Sequence, residues 1–330
     1  MSKSKRRSPS QQPRKRTAPV QRTATFGDWV EGARLRTLPL AVVPVALGFA
    51  TATVINPGDY HWVRALAALA VALFLQIGVN YANDYSDGIR GTDDVRVGPA
   101  RLTGAGLVKP ALVRNTAFAF FGLAALAGLF LVVRTGHWWL IAVGIVCILA
   151  AWFYTGGKRP YGYAGLGELF VFVFFGLVAT AGTTFVMVGF VPTDTWVVAV
   201  AAGLFACAVL MVNNIRDIEQ DKLAGKHTLA SRIGYRWSRI LFAVMALAPF
   251  LVSGVFMLVY PLAGFSLFAL LLIVPAVIIT STSLRPKDLI LALKLTSIGS
   301  LVWALLLSAA LVIPMIVLST LPDLPPVPAP

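Results

Sequence analysis

The sequence predicts an all-α polytopic membrane protein, a bundle of nine transmembrane helices with cytoplasmic cap loops. Three observations carry this. Of 330 residues, 58% are hydrophobic and 13% charged, with mean hydropathy +0.79; a soluble domain has roughly 25% charged and 45–50% apolar residues. Apolar stretches recur at about the 20 residues a helix needs to cross the hydrocarbon core. The basic residues, finally, gather on alternate connections. A soluble enzyme and a disordered chain are both excluded.

Residues 1–28 form a basic, Pro/Ser-rich tail without apolar periodicity, which predicts disorder. No short apolar region with a small-residue cleavage site follows, so this is not a signal peptide. The first span, 37–55, contains Pro39 and Pro44, which membrane helices tolerate because neighbours satisfy the freed backbone groups. Spans follow at 62–83, with Arg64 at its edge, then 115–133, and 137–155, with His137 at its edge. The next are 169–190, 195–213, 240–260, 263–283 and 289–317. Lys294 lies one to two turns into the last, where its stem can snorkel. Residues 321–330, LPDLPPVPAP, form a Pro-rich tail. Cys147 and Cys207 sit inside apolar runs and act as small hydrophobes.

Of 28 Lys+Arg, ten lie in the tail through Arg36 and five, two, six and two follow the second, fourth, sixth and eighth spans. Only Arg64, Arg134 and Lys294 lie elsewhere. This asymmetry sets the N-terminus in the cytoplasm and the C-terminus outside. The net charge of +14 is therefore a statement about topology and anionic lipid, with no nucleic-acid role.

Acidic residues are rare, and seven of fourteen fall in two cytoplasmic segments. NYANDYSDGIRGTDD, starting at Asn80, holds Asp84, Asp87, Asp93 and Asp94; NNIRDIEQDK, starting at Asn213, holds Asp217, Glu219 and Asp221. At roughly 100° per residue, Asn80, Asp84 and Asp87 fall at about 0°, 40° and −20°, and Asn213, Asp217 and Asp221 at about 0°, 40° and 80°. Each set presents an amide and two carboxylates on one face. The matched sets suggest an internal duplication of spans one to four in spans five to eight. Carboxylates at this density repel unless a cation sits between them, and hard oxygen donors sharing substrate phosphates suit Mg²⁺. Two such ions could grip a diphosphate. The alternative is a solvated acidic surface paired with Arg90, Arg96 and Arg216. Between the motifs, YTGGKRPYGYAGLGE runs from Tyr154 to Glu168; Lys158 and Arg159 there could offset a leaving diphosphate. A secondary transporter would carry its charges near the midplane, whereas these carboxylates gather at one surface.

Together with ARLRTLPLAVVPVALG near the first span, these blocks resemble the UbiA superfamily of intramembrane prenyltransferases, most closely its 1,4-dihydroxy-2-naphthoate polyprenyltransferase branch. The likeness runs from about Trp29 to the last span, with residues 29–320 as the transferase domain. The short Asp84-x-x-Asp87 spacing and YTGGKRPYGY favour this branch over 4-hydroxybenzoate, haem O and decaprenyl-phosphoribose relatives. The resemblance implies a bacterial plasma-membrane enzyme that uses Mg²⁺ to transfer a polyprenyl group from polyprenyl diphosphate to 1,4-dihydroxy-2-naphthoate. Pyrophosphate and carbon dioxide leave, giving demethylmenaquinone. It also implies that Asn80, Asp84 and Asp87 form the first metal motif, and Asn213, Asp217 and Asp221 the second. Tyr154 and Lys158 match a Tyr-x-x-x-Lys element. Asn83, Arg96, Arg101, Asn214, Arg216 and Lys226 are expected to contact substrate. Arg34, Arg36 or Arg101 would orient the naphthoate carboxylate, with Glu31 at helical spacing from Arg34.

Overall fold

A computed structural model describes residues 23–92 and 101–320; every regular element among them is helical. Helix α1 (Phe26–Gly32) opens on a capping box in which the Thr25 hydroxyl accepts from the Asp28 N–H and the Asp28 carboxylate accepts from the Thr25 N–H. The last residues of the expected 1–28 tail thus belong to this capped helix, and residues 1–22 lie outside the described residues. Arg34 then takes a left-handed backbone (φ 55°, ψ 59°), and after the short turn Leu35–Thr37 helix α2 (Pro39–Ile55) leaves at a 47° bend. Pro39 sits in the first turn of α2, where its missing N–H leaves no bond unmade.

There follow α3 (Trp62–Ile89), α4 (Pro110–Thr135), α5 (Leu140–Phe153), α6 (Gly167–Val188), α7 (Thr193–Arg216), the short α8 (Ile218–Leu223), α9 (Leu229–Met257), α10 (Pro261–Thr282) and α11 (Leu289–Thr320). Seven of the described helices, α3, α4, α6, α7, α9, α10 and α11, are long and apolar enough to cross a membrane, and the bent α1–α2 pair makes an eighth. Helix α5 has only 14 residues. The chain is an all-α, multi-pass bundle. Two boundaries differ from expectation. Helix α3 runs on to Ile89, so Asn80, Asp84 and Asp87 occupy its last turns and not a loop. Helix α9 starts at Leu229, capped by Thr228, and is broken at Gly234 (φ 74°, ψ 174°).

Helix α7 is the most enclosed element. Phe205 and Met211 on it are fully buried, and Phe205 meets Trp303 of α11 edge-on at 5.3 Å. Helix α6 crosses it at Gly176, within a π-helical stretch Phe172–Val178. A Cβ at Gly176 would lie 2.6 Å from the Gly203 Cα, the backbone-on-backbone approach that small residues permit in membranes. At the opposite end Arg64 donates to the carbonyls of Val186 and Met187, each at 3.2 Å, satisfying the last turn of α6. These contacts hold α3, α6 and α7 around a common space.

Candidate active site

That space is a cavity of about 620 Å³. Its polar end is lined by Asn83 and Asp87 of α3, Arg101, Asn213 and Asn214 of α7, Asp217, Asp221 and Lys226. Its shaft is apolar, walled by Ala68, Val71 and Leu75 of α3, Gly128 and Val132 of α4, Ile148 of α5, and Phe174 and Val178 of α6. Along α3 the lining extends from Asp87 to Ala68, about 28 Å at 1.5 Å per residue.

Asp87 is the hub. Its Oδ2 accepts from Arg101 Nη1 at 2.6 Å; its Oδ1 lies 3.2 Å from Lys226 Nζ and accepts from the Tyr163 hydroxyl at 2.5 Å. Lys226 also sits over the Tyr163 ring, 4.4 Å from its centroid. Burial, with Asp87 beside it, pushes the Tyr163 phenol well above its ordinary range, so it stays a donor. Asp217 caps α7 and is gripped by its neighbour Arg216, whose Nε and Nη2 reach Oδ1 and Oδ2 at 2.7 and 2.6 Å. Arg216 Nη2 also donates to Asn213 Oδ1 at 2.9 Å. Asp221 accepts from the Thr228 hydroxyl at 3.2 Å. Burial pushes its pKa up to about 6; Lys226 and Thr228 oppose this, while Asp217 and Asp87 add to it.

The backbone ties these groups into one frame. His227 N–H donates to Tyr163 O at 2.9 Å, joining the stretch after α8 to the turn after α5. Arg90, at the end of α3, donates to the carbonyls of Thr155 and Gly157 in that turn. Thr155 in turn donates to Asn83 Oδ1 at 2.7 Å, and Asn214 Nδ2 donates to Glu168 Oε1 at 2.9 Å.

Several expected residues sit elsewhere. Asp84 does not line the cavity: it is 2% exposed, and its oxygens accept from the N–H groups of Leu102 and Thr103 at 2.9 and 2.8 Å. Asn80 lines the cavity one turn deeper, but its Nδ2 donates to Ala33 O at 2.9 Å. The amide that accompanies Asp87 at the polar end is Asn83. Lys158 and Arg159 are exposed and do not line the cavity, because Arg90 fixes the Thr155–Gly157 turn with these side chains outside. Arg36 does not line it either: it pairs with Glu31 at 3.7 Å, since the left-handed Arg34 breaks the helical spacing that would have matched Glu31 to Arg34. Arg34 and Tyr154 do line the cavity. Arg216 is behind Asp217, not in the lining. Arg96, Asp93 and Asp94 lie outside the described residues. Tyr163, Thr155, Thr228 and Glu168 belong to the site without being marked by the sequence pattern. Tyr163 stands in YTGGKRPYGYAGLGE, where Tyr154, Lys158 and Arg159 are the residues the pattern points to.

The donors at the polar end are carboxylate and amide oxygens, the set that suits a hard cation such as Mg²⁺. Among the described residues no three His, Cys, Asp or Glu side chains converge on one point. An ion here would draw few protein ligands and leave positions for substrate phosphates, as Mg²⁺ does.

A family model for the UbiA prenyltransferase family matches residues 41–298. A 1,4-dihydroxy-2-naphthoate octaprenyltransferase of Mycobacterium tuberculosis is 47% identical over 288 residues, covering 87% of this chain and 98% of the relative. One from Mycobacterium leprae is 43% identical over 288 residues, covering 87% and 97%. Among solved structures, a UbiA homolog from Archaeoglobus fulgidus bound to DMAPP and Mg²⁺ is similar with TM-score 0.58, covering 89% of this chain and 100% of that one, at 16% identity; this is a likeness of fold.

Proposed function

The chain belongs to the UbiA prenyltransferase family, and from that premise we propose that it transfers a polyprenyl group from polyprenyl diphosphate to 1,4-dihydroxy-2-naphthoate. Pyrophosphate and carbon dioxide leave, and the product is demethylmenaquinone. The observation that carries this reading is one cavity with a charged mouth and an apolar shaft about 28 Å deep along α3. A prenyl chain is insoluble and fits the shaft; a diphosphate fits among Arg101, Lys226 and the carboxylates. The relatives that match over nearly their whole length carry this activity in their names.

Asn83, Asp87, Asn213, Asp217 and Asp221 would hold Mg²⁺, which supplies positive charge to a departing diphosphate. Arg101 and Lys226, now on Asp87, turn to the diphosphate oxygens as charge grows there, stabilising the transition state more than the ground state. Tyr163 keeps its proton and orients Asp87. Tyr161, Phe170 and Phe174 wall the adjacent cavity and keep water from the allylic carbon. Arg34, at the mouth, orients the naphthoate carboxylate.

The architecture follows the same reading. Helix α5 with the flanking Trp138, Trp139 and Tyr154 serves as a further span, making nine. The basic residues cluster on the connections at the charged mouth, which supports a cytoplasmic active site, a cytoplasmic N-terminus and an outside C-terminus. Residues 29–320 make up the transferase domain.

The test uses protein purified in detergent with Mg²⁺, a prenyl diphosphate and either dihydroxynaphthoate or 4-hydroxybenzoate. Product with the naphthoate alone, abolished by chelation, is expected; prenylated hydroxybenzoate would overturn the choice of acceptor.

A further inference from the structure

Asp84 is deeply buried, and its carboxyl group is spent on backbone. Its two oxygens accept from two successive N–H groups, Leu102 at 2.9 Å and Thr103 at 2.8 Å. An anion held by consecutive amides fixes both the position and the orientation of that peptide. The peptide is also pressed against α3: Leu102 is 1% exposed in a cluster with Tyr81 and Phe121, and Thr103 lies on Gly88, where a Cβ would come within 2.5 Å of it. The residue just before this clamped peptide is Arg101, whose Nη1 reaches Asp87 Oδ2 at 2.6 Å and the Asn83 carbonyl at 3.1 Å.

We propose that Asp84 is a positioning residue, clamping the Leu102–Thr103 backbone so that Arg101 is delivered to Asp87 and the charged mouth of the cavity. It acts through Arg101 and holds no metal. The assignment rests on the reading above that this mouth receives the diphosphate.

Asp84→Asn tests it, because a carboxamide has one accepting oxygen and loses one of the two N–H bonds. Hydrogen exchange at the Leu102 and Thr103 amides should accelerate about tenfold while amides in the middle of α3 stay unchanged. KM for the prenyl diphosphate should rise about tenfold, with the Mg²⁺ concentration at half-activation unchanged. The double variant Asp84→Asn/Arg101→Gln should be no worse than Arg101→Gln alone. Unchanged exchange, additive effects, or a raised Mg²⁺ requirement like that of Asp87→Asn would each overturn the clamp. If Asp84→Asn does not fold, exchange in the unsubstituted protein decides: the clamp requires Leu102 and Thr103 to be among the slowest amides outside the helices, and rapid exchange there refutes it. Wild-type protein that fails to prenylate dihydroxynaphthoate would sink the functional reading, while the exchange measurement would still stand.

Discussion

Replacing Asp87 by Asn should make the protein less stable and, without metal, more responsive to pyrophosphate. Asp87 offsets two part-buried cations, Arg101 and Lys226, whose side chains are 10% and 14% exposed against 4% for its own. Removing one partner of a buried ion pair costs about 3–5 kcal/mol because the other charge is left uncompensated. Solvent screening offers little relief at this burial. The expected loss is a drop of roughly 6–10 °C in the thermal midpoint. Pyrophosphate supplies an anion where the carboxylate was. At 100 times its Kd it returns about 2.7 kcal/mol, more than half of the deficit. In the unsubstituted, metal-free protein the same ligand must first displace Asp87 from both cations, so its stabilisation should be well under about 1 kcal/mol. The assay is thermal unfolding in detergent with chelator, each protein titrated with pyrophosphate. If pyrophosphate stabilised both proteins equally, Asp87 would not be the counter-charge of Arg101 and Lys226, and the exchange of partners described above would fail.

Other consequences are simpler to measure. Asp217→Asn and Asp221→Asn should each lower turnover at least about 100-fold in folded protein, read from product formation at saturating Mg²⁺. Lys158→Gln should leave KM for the prenyl diphosphate within about twofold while Arg101→Gln raises it about tenfold or more; equal effects would return the exposed loop cation to the site. Asp221 has a folded pKa raised to about 6 from 3.8, so metal-free protein loses stability as pH rises through that window, where the folded state alone keeps the proton. Since a ligand carboxylate must be ionised, apparent Mg²⁺ affinity should fall below pH 6, and Asp221→Asn should flatten that profile. Gly176→Ala should destabilise by about 1–3 kcal/mol through overpacking, whereas Gly122→Ala, where a Cβ meets nothing within 4 Å, should be neutral in the same unfolding assay.

Much of the fold could be read in advance because its signal is long-range and one-dimensional: an apolar run of about 20 residues states its own role. The charged mouth was legible for the same reason, since carboxylates are rare in this chain. The orientation of α3 was not. On a helical wheel Asp84 and Asp87 lie only about 60° apart, so either could face the cavity. The choice is made by contacts remote in sequence: Phe121 packs so closely on Gly78 that a Cβ there would lie 2.6 Å away, and Leu102–Thr103 occupy the Asp84 side. Lys158 shows the same limit, since its direction is decided by Arg90 at the end of a different helix. Tyr163 is the converse case: a tyrosine near a membrane surface is ordinary, and its 2.5 Å bond to Asp87 together with the Lys226 ammonium over its ring distinguishes it.

The face that α3 turns to the cavity also gives a different spacing between the two acidic motifs. Asn83 and Asp87 stand four residues apart, as do Asn213 and Asp217, with one offset of 130 positions (213−83 and 217−87). Under that offset Asp84 answers to Asn214, and both residues grip a neighbouring segment: Asp84 the Leu102–Thr103 peptide, Asn214 the Glu168 carboxylate at the start of α6. Each half thus uses an Asn-x-x-x-Asp pair toward the cavity and the residue after the Asn to fix an adjoining element. Helical geometry makes this economical, because the residue after Asn lies about 100° around the helix from it and so faces a different neighbour. The halves diverge beyond that point. Asp221 answers to Gly91, which has no side chain, and the second half therefore brings one more carboxylate to the mouth than the first does among the described residues. Burial first, and the neighbouring Asp217 carboxylate after it, raise the Asp221 pKa, while Lys226 opposes them; a cation bound at the mouth would favour its ionised form.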